Sequence, residues 1–267
     1  MKVMLQDQTL YMEDFFRQWQ QIPDQSVDLI LTDPPFGSIT QAQPWDIRPD
    51  FHVLGWIFTN LIKPGGQVAV FCDFATAMEI ESGFSRYFDF RFNWVWQKPS
   101  VIPANRSRPA NDIELVLVYK VKGTKTQDVT FNIDDIRQEG KPYERPAGKT
   151  QNNNPTRRQG GTLPEVFVNE SGQRFPRSVL NFPNKPCMRK DERENHPTQK
   201  SLALIEYILR GLSNPGDTVL DPFLGSGTTL AAANNLGRRG IGFELAPEYF
   251  DMAKTRMERE TAQGVLL

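Results

Sequence analysis

Between residues 218 and 244 lies the stretch that most narrows the fold: Thr218-Val219-Leu220-Asp221, then Pro222-Phe223-Leu224-Gly225-Ser226-Gly227-Thr228-Thr229, and later Gly240-Ile241-Gly242-Phe243-Glu244. A short apolar run ending in an acid reads as a buried strand. The two glycines let the backbone turn tightly and approach a ligand, and the helix that follows presents unpaired amides and a positive dipole end. The second strand closes on Glu244, 23 residues after Asp221, where a carboxylate can accept hydrogen bonds from both hydroxyls of an adenosine ribose. No lysine follows the last glycine, which excludes a Walker-type phosphate loop.

The flanking sequence repeats this alternation. Ser26 to Thr32 is a mostly apolar run stopped by Asp33-Pro34-Pro35, as expected of a buried strand. Phe51, Leu54, Ile57, Phe58 and Leu61 recur at helical spacing, and Lys63-Pro64-Gly65-Gly66 turns the chain into the strand Gln67 to Phe71. Leu115 to Tyr119 is strand-like, Leu202, Ile205, Leu209 and Leu212 mark a helix, and Thr228 to about Asn235 a second one. Strands alternating with helices predict an α/β fold, a mainly parallel sheet with helices on both faces and its ligands beyond the carboxyl ends of the strands.

Charge separates the middle of the chain from its ends. The total is −1, with 31 basic and 32 acidic side chains, and by itself argues against a polyanion partner. By segment, residues 1–120 hold 10 basic and 14 acidic groups, residues 121–193 hold 14 and 9, and residues 194–267 hold 7 and 9. The basic middle is also poor in periodic apolar runs and rich in turn formers such as Gln151-Asn152-Asn153-Asn154-Pro155 and Gly160-Gly161. We read 121–190 as a loop-rich insertion between a first half, 1–120, and a last part, 191–267. Two cysteines and two histidines make neither a disulfide framework nor a zinc site of familiar spacing, so a metal is not expected. The amino terminus lacks a signal-peptide pattern and no apolar run is long enough to span a bilayer, which predicts a cytoplasmic protein.

Asp33-Pro34-Pro35-Phe36-Gly37, at the end of a strand, carries specific chemistry. An exocyclic base amine is a poor nucleophile because its lone pair is delocalised into the ring. A carboxylate and a backbone carbonyl that accept its two hydrogens localise that pair, a double proline keeps the carbonyl aimed, and an aromatic ring stacks on the base. By itself Asp-Pro also makes an ordinary turn.

Together these motifs resemble the β class of DNA amino-methyltransferases, in which an Asp-Pro-Pro-Tyr motif precedes the target-recognition region and the cofactor loop comes last, a circularly permuted order of a Rossmann-like fold. This chain has that order, with His196-Pro197-Thr198-Gln199-Lys200, Pro64-Gly65-Gly66 and Trp96-Gln97-Lys98 also matching. The resemblance covers nearly everything except 121–190. It implies methyl transfer from S-adenosylmethionine to the N6 amine of adenine in double-stranded DNA, on a base flipped out of the helix. N4 of cytosine is the alternative, since Asp at the first motif position leans toward adenine without deciding it. A catalytically silent DNA-binding module and an RNA methyltransferase are further readings.

Carried over by position, Asp33 holds the amine, the Pro34 carbonyl takes its second hydrogen, Pro35 stiffens the turn and Phe36 stacks on the base. The cofactor would meet Asp221, Phe223, Gly225, Gly227, Thr228 and Glu244, with Asp7 on its adenine amine and Thr198 and Lys200 at its carboxylate end. Ser201 stands where the family usually has proline. His196 reads as part of the approach to a helix rather than a general base, and Cys72 as a small buried hydrophobe. Arg157, Arg158, Arg174, Arg177, Lys185, Arg189 and Lys190 are candidate DNA contacts, and Asn152 to Asn154 candidate readers of adenine edges. Residues 38–50 are a loop over the flipped base or an ordinary surface loop. Proteins of this resemblance often serve restriction–modification and are often dimers, so a homodimer is open.

Overall fold

In the computed structural model, which describes residues 1–37, 45–101, 107, 109–146 and 166–263, the chain divides into two units. The first comprises Met1–Asn132 and Arg177–Leu267, and the second Ile133–Pro176.

The first unit is built on a nine-stranded sheet. Its strands are β1 (Lys2–Leu5), β2 (Gln8–Met12), β3 (Val27–Thr32), β4 (Ile62–Cys72), β5 (Phe88–Gln97), β6 (Ile113–Val121), β9 (Val179–Leu180), β10 (Thr218–Asp221) and β11 (Arg239–Glu244). In space they run β1-β2-β11-β10-β3-β4-β6-β5-β9. From β2 to β4 every pairing is parallel, so five strands point their carboxyl ends the same way. β6 is antiparallel to both β4 and β5.

Helices cover both faces, as the alternation predicts. The helices are α1 (Phe15–Gln18), α2 (Phe51–Leu61), α3 (Phe74–Phe84), α4 (Leu202–Leu212), α5 (Thr228–Asn235) and α6 (Pro247–Gln263). Successive strand residues point to opposite faces. Accordingly Tyr11 joins the core formed with Leu54, Phe58, Ile80 and Phe84 of α2 and α3, while its neighbour Leu10 packs with Leu230 of α5 and Phe250, Ala253 and Met257 of α6. Cys72 is fully buried in the first core, the place expected of it. α4 starts without a side-chain cap from Ser201; Glu192 accepts the Leu202 amide instead, at 2.6 Å. Among the described residues no helix is long and apolar enough to cross a membrane.

The second unit carries the hairpin β7 (Tyr143–Pro146) and β8 (Val166–Asn169), and Gln138 bridges to Arg174. The insertion is thus narrower than the 121–190 expected from charge and texture. Val121 ends the sheet strand β6, and Val179–Leu180 adds the strand β9 to β5, so both margins belong to the first unit.

Candidate functional site

The parallel strands deliver the chemistry to one edge. The carboxyl ends of β2, β3, β4, β10 and β11 place Glu13 and Asp14, Asp33 to Phe36, Asp73, Asp221 to Gly225, and Glu244 around one cavity of about 740 Å³. Because β6 is antiparallel to β4, its beginning reaches the same edge: Leu115 lies opposite Cys72 and Glu114 precedes it. β5 returns antiparallel to β6, setting Trp96 opposite Glu114, so that Lys98 also lines the cavity.

The glycine loop is held from inside. Asp221 Oδ1 accepts the Phe223 amide at 3.1 Å and its Oδ2 accepts the Thr229 hydroxyl at 2.6 Å. Burial pushes this carboxyl up to about 7, against the pull of those hydrogen bonds. Glu244 accepts the amides of Gly225 and Ala246, each at 2.8 Å, and burial raises it as well. Each oxygen of Glu244 thereby keeps a lone pair for a further donor. Gly225 has φ +53°, and a Cβ there would stand 3.0 Å from His196 Nε2. His196 is buried against Tyr249, ring centroids 4.4 Å apart, and Trp45 stands behind at 6.1 Å. Burial drives this imidazole down to about 4, with Lys200 and Lys185 adding to the effect, so it is neutral near pH 7 and not poised as a base.

The Asp-Pro-Pro-Phe turn is clamped at its far end. Arg48 donates from Nε and Nη2 to the Phe36 carbonyl, at 3.0 and 2.8 Å, and is anchored by Glu79 of α3. The Gly37 amide donates to Asp46 at 2.9 Å. Residues 38–44 lie outside the described residues; Trp45 and Asp46 line the cavity. Asp33 pairs with Lys200, which also meets Glu114 at 3.2 Å, and Glu114 meets Lys98 at 2.5 Å. Burial raises the Asp33 carboxyl and Glu114 adds to this, while Lys200 opposes both. Glu114 is buried too, but Lys200 and Lys98 outweigh desolvation and hold it low.

Most expected site residues meet in this cavity: Asp33, Pro34, Pro35, Phe36, Thr198, Lys200, Asp221, Phe223, Gly225, Thr228 and Glu244 all line it. Four stand otherwise than expected. Asp7 is exposed in the turn between β1 and β2, at the amino end of β11, where its carbonyl accepts the Gly240 amide. Since β2 runs toward the cavity, the acids delivered there are Glu13, which pairs with the amino terminus at 2.8 Å, and Asp14, whose Oδ1 caps α1 by accepting the Phe16 amide at 2.9 Å. Gly227 is absent from the cavity wall: its φ of +78° turns the chain into α5, and a Cβ would stand 3.1 Å from Ala253 of α6. Lys200 is engaged by the two carboxylates rather than standing ready for an anionic ligand. The Thr228 hydroxyl faces the interior, accepting from Arg256 at 2.9 Å.

Of the basic candidates, Arg157 and Arg158 lie outside the described residues, as do Asn152 to Asn154. Arg177 and Lys190 are exposed. Lys185 donates to the His196 carbonyl at 2.6 Å and Arg189 pairs with Asp191, so both have structural partners. Arg174, in the second unit, lies over the Tyr143 ring at 4.0 Å and donates to the Lys141 carbonyl.

A nucleotide-type loop and an Asp-Pro-Pro-Phe turn meet in one cavity, and comparison with known sequences places the class of protein. The chain belongs to the N6/N4 DNA methylase family, whose sequence profile matches residues 27–255. It is 32% identical over 262 residues to DNA adenine methyltransferase YhdJ of Escherichia coli (strain K12), covering 94% of this chain and 82% of that protein. It is 28% identical over 265 residues to the type II methyltransferase M.HpaI of Haemophilus parainfluenzae, 95% of this chain and 75% of the relative. Among solved structures, the M1.HpyAVI–SAM complex superposes with a TM-score of 0.58 at 29% identity, over 92% of this chain and 98% of that one. The cytosine-N4-specific PvuII DNA methyltransferase, at 18% identity and a TM-score of 0.64 over 96% and 90%, shares the fold.

Proposed function

We propose that this protein methylates the N6 amine of adenine in double-stranded DNA, with S-adenosylmethionine as methyl donor and the target base flipped into the cavity. The observation that carries this reading is the meeting of Asp33-Pro34-Pro35-Phe36 with the Gly225 loop and Glu244 in one buried space, within the size range of small-molecule sites. The residues present fit the cofactor. His196 Nδ1 is buried at the wall without a hydrogen-bond partner among the described residues, a vacancy that a polar ligand group would fill. Glu244 would hold the ribose and Asp14 the adenine amine, and the rings of Phe16 and Phe223, 6.4 Å apart, border the same space. When bound, S-adenosylmethionine supplies a methyl group activated by its sulfonium.

The protein's own part is placement and electrostatics. Asp33 and the Pro34 carbonyl accept the two amine hydrogens, and Phe36 stacks on the base. As the nitrogen–methyl bond forms, the methyl–sulfur bond would break and leave a neutral thioether, and the positive nitrogen would pass one proton to the Asp33 carboxylate or to water. Asp33 needs no strong basicity for this, because the nitrogen turns acidic only as it is alkylated.

Adenine is favoured over cytosine by Asp33 at the first motif position and by the adenine specificity of the E. coli relative. The DNA is gripped, in this reading, by the exposed Arg177 and Lys190 of the first unit. Val53 and Trp56 of α2 and Phe74 and Met78 of α3 are exposed apolar side chains that suit a second copy, and light scattering of the protein in solution tests that homodimer. The decisive experiment incubates the protein with labelled S-adenosylmethionine and either unmethylated DNA or RNA, then digests each nucleic acid to nucleosides. N6-methyladenine is the expected product, N4-methylcytosine corrects the base, and label in RNA alone or in neither overturns the reading. Asp33→Ala abolishes transfer and leaves cofactor binding intact.

A further inference from the structure

Asp33 commits one carboxylate oxygen and withholds the other. Oδ2 is paired with Lys200, whereas Oδ1 is buried and has no hydrogen-bond partner among the described residues. Leaving a buried acceptor unpaired is costly. Asp33 itself lines the cavity in which, in the reading above, an amine is held.

Lys200 is gripped from its far side. Glu114 Oε2 lies 3.2 Å from its ammonium, and Glu114 Oε1 lies 2.5 Å from the ammonium of Lys98. The charges alternate in sign from Lys98 through Glu114 and Lys200 to Asp33. They come from the end of β5, the start of β6, the segment before α4 and the end of β3, so four separate elements fix the order. Aromatic rings flank the two cations: the Lys200 ammonium lies 5.1 Å from the Phe71 ring and that of Lys98 5.6 Å from Trp96. Such a desolvated ladder is strong where every charge is partnered, and breaking it from one end leaves an uncompensated charge.

We propose that Lys200 and Glu114 are positioning residues for methyl transfer: the ladder fixes the Asp33 carboxylate through Oδ2 and reserves Oδ1 for a hydrogen of the base amine. This rests on the methyltransferase reading above. Lys200 is thereby given work at the methyl-accepting group rather than at the carboxylate end of the cofactor. The groups around Asp33 set the sign of the test. Lys200 and Lys98 favour its anion and Glu114 disfavours it. Asp221 and the Cys72 thiol also face it, the thiol kept neutral by burial, and His196, beyond Lys200, is neutral as well.

The test is the pH profile of kcat for DNA methylation, with KM for DNA measured separately and thermal melting as a check on folding. In Lys200→Met, kcat falls roughly 10- to 100-fold, the worth of a lost hydrogen bond to a charged group. Its acid limb moves to higher pH, because the cation that favours ionised Asp33 is gone, and KM for DNA changes far less. Glu114→Gln moves the acid limb the other way, to lower pH. Lys98→Gln moves it upward by less than Lys200→Met, and carries the test if Lys200→Met does not melt cooperatively. A merely structural role lowers the melting temperature and moves no limb. An unshifted limb in the lysine variants, or a Glu114→Gln shift of the same sign as theirs, overturns the ladder even when the wild type methylates DNA and Asp33→Ala does not. A wild type that transfers no methyl overturns the reading beneath it, and the ladder with it.

Discussion

Replacing Asp221 by Asn separates the cost of burying this charge from the hydrogen bonds it makes. The carboxyl is 3% exposed, spends one oxygen on the Phe223 amide and the other on the Thr229 hydroxyl, and is pushed by burial from 3.8 up to about 7. Between those values the folded chain binds a proton that the unfolded chain has released, so stability falls as pH rises through the interval and the full loss is present above the folded value. At 1.36 kcal/mol for each tenfold change in proton affinity, the loss between pH 4 and pH 7 is about 3 kcal/mol, of about 4 in full. Asn keeps an acceptor for the Phe223 amide and loses the titration. Chemical denaturation at several pH values therefore gives wild-type stability falling relative to Asp221→Asn as pH rises from acid to neutral. The comparison cancels the contributions of other carboxylates common to both chains. A stability difference that stays constant over that range refutes the reasoning, because it means that Asp221 is as acidic in the fold as in the unfolded chain.

Three further outcomes follow from the site. Asp14→Ala weakens S-adenosylmethionine binding roughly 10- to 100-fold in calorimetric titration, the worth of a hydrogen bond to a charged group, while Asp7→Ala leaves it unchanged. Gly225→Ala forces a Cβ into left-handed backbone, at about 1–2 kcal/mol, and against His196, so it lowers the melting temperature and weakens cofactor binding together. Arg177→Ala and Lys190→Ala each reduce the slope of log affinity for DNA against log salt by about 0.9, and Lys185→Ala by less, as read by fluorescence anisotropy.

The parallel core was legible because strands buried on both faces must be nearly continuous apolar runs: those through Thr32 and Cys72 are followed by an acid, and the other two close on Asp221 and Glu244. Their shared carboxyl edge followed from the alternation, and with it the meeting of Asp33, Gly225 and Glu244. Strand direction was less legible. Asp7 and Asp14 each follow a short strand, and only the antiparallel turn from β1 to β2 decides that the second faces the cavity. An acid before Phe15-Phe16, in capping position, was the available signal. Glu114 stood at the head of an apolar strand, where a lone carboxylate marks a strand end at a polar site, but its partnership with Lys98 and Lys200 depends on β5 and β6 reversing the sheet. The basic composition of 121–190 hid strand residues at both margins, because charge records surface and not pairing.

The order of strands in the sheet also makes the two ends of the chain interdependent. β3 is hydrogen-bonded to β10, and β2 to β11, so the portions before and after the second unit each hold strands whose neighbours lie in the other. A chain severed within Ile133–Pro176 would leave one fragment bearing Asp33, Lys98 and Glu114 and another bearing Lys200, Gly225 and Glu244. Neither fragment holds a whole site, and each exposes an unpaired strand edge that the other completes. Methyl transfer then becomes a signal of reunion: tethered to two interacting proteins, the halves would mark DNA where and when those proteins meet.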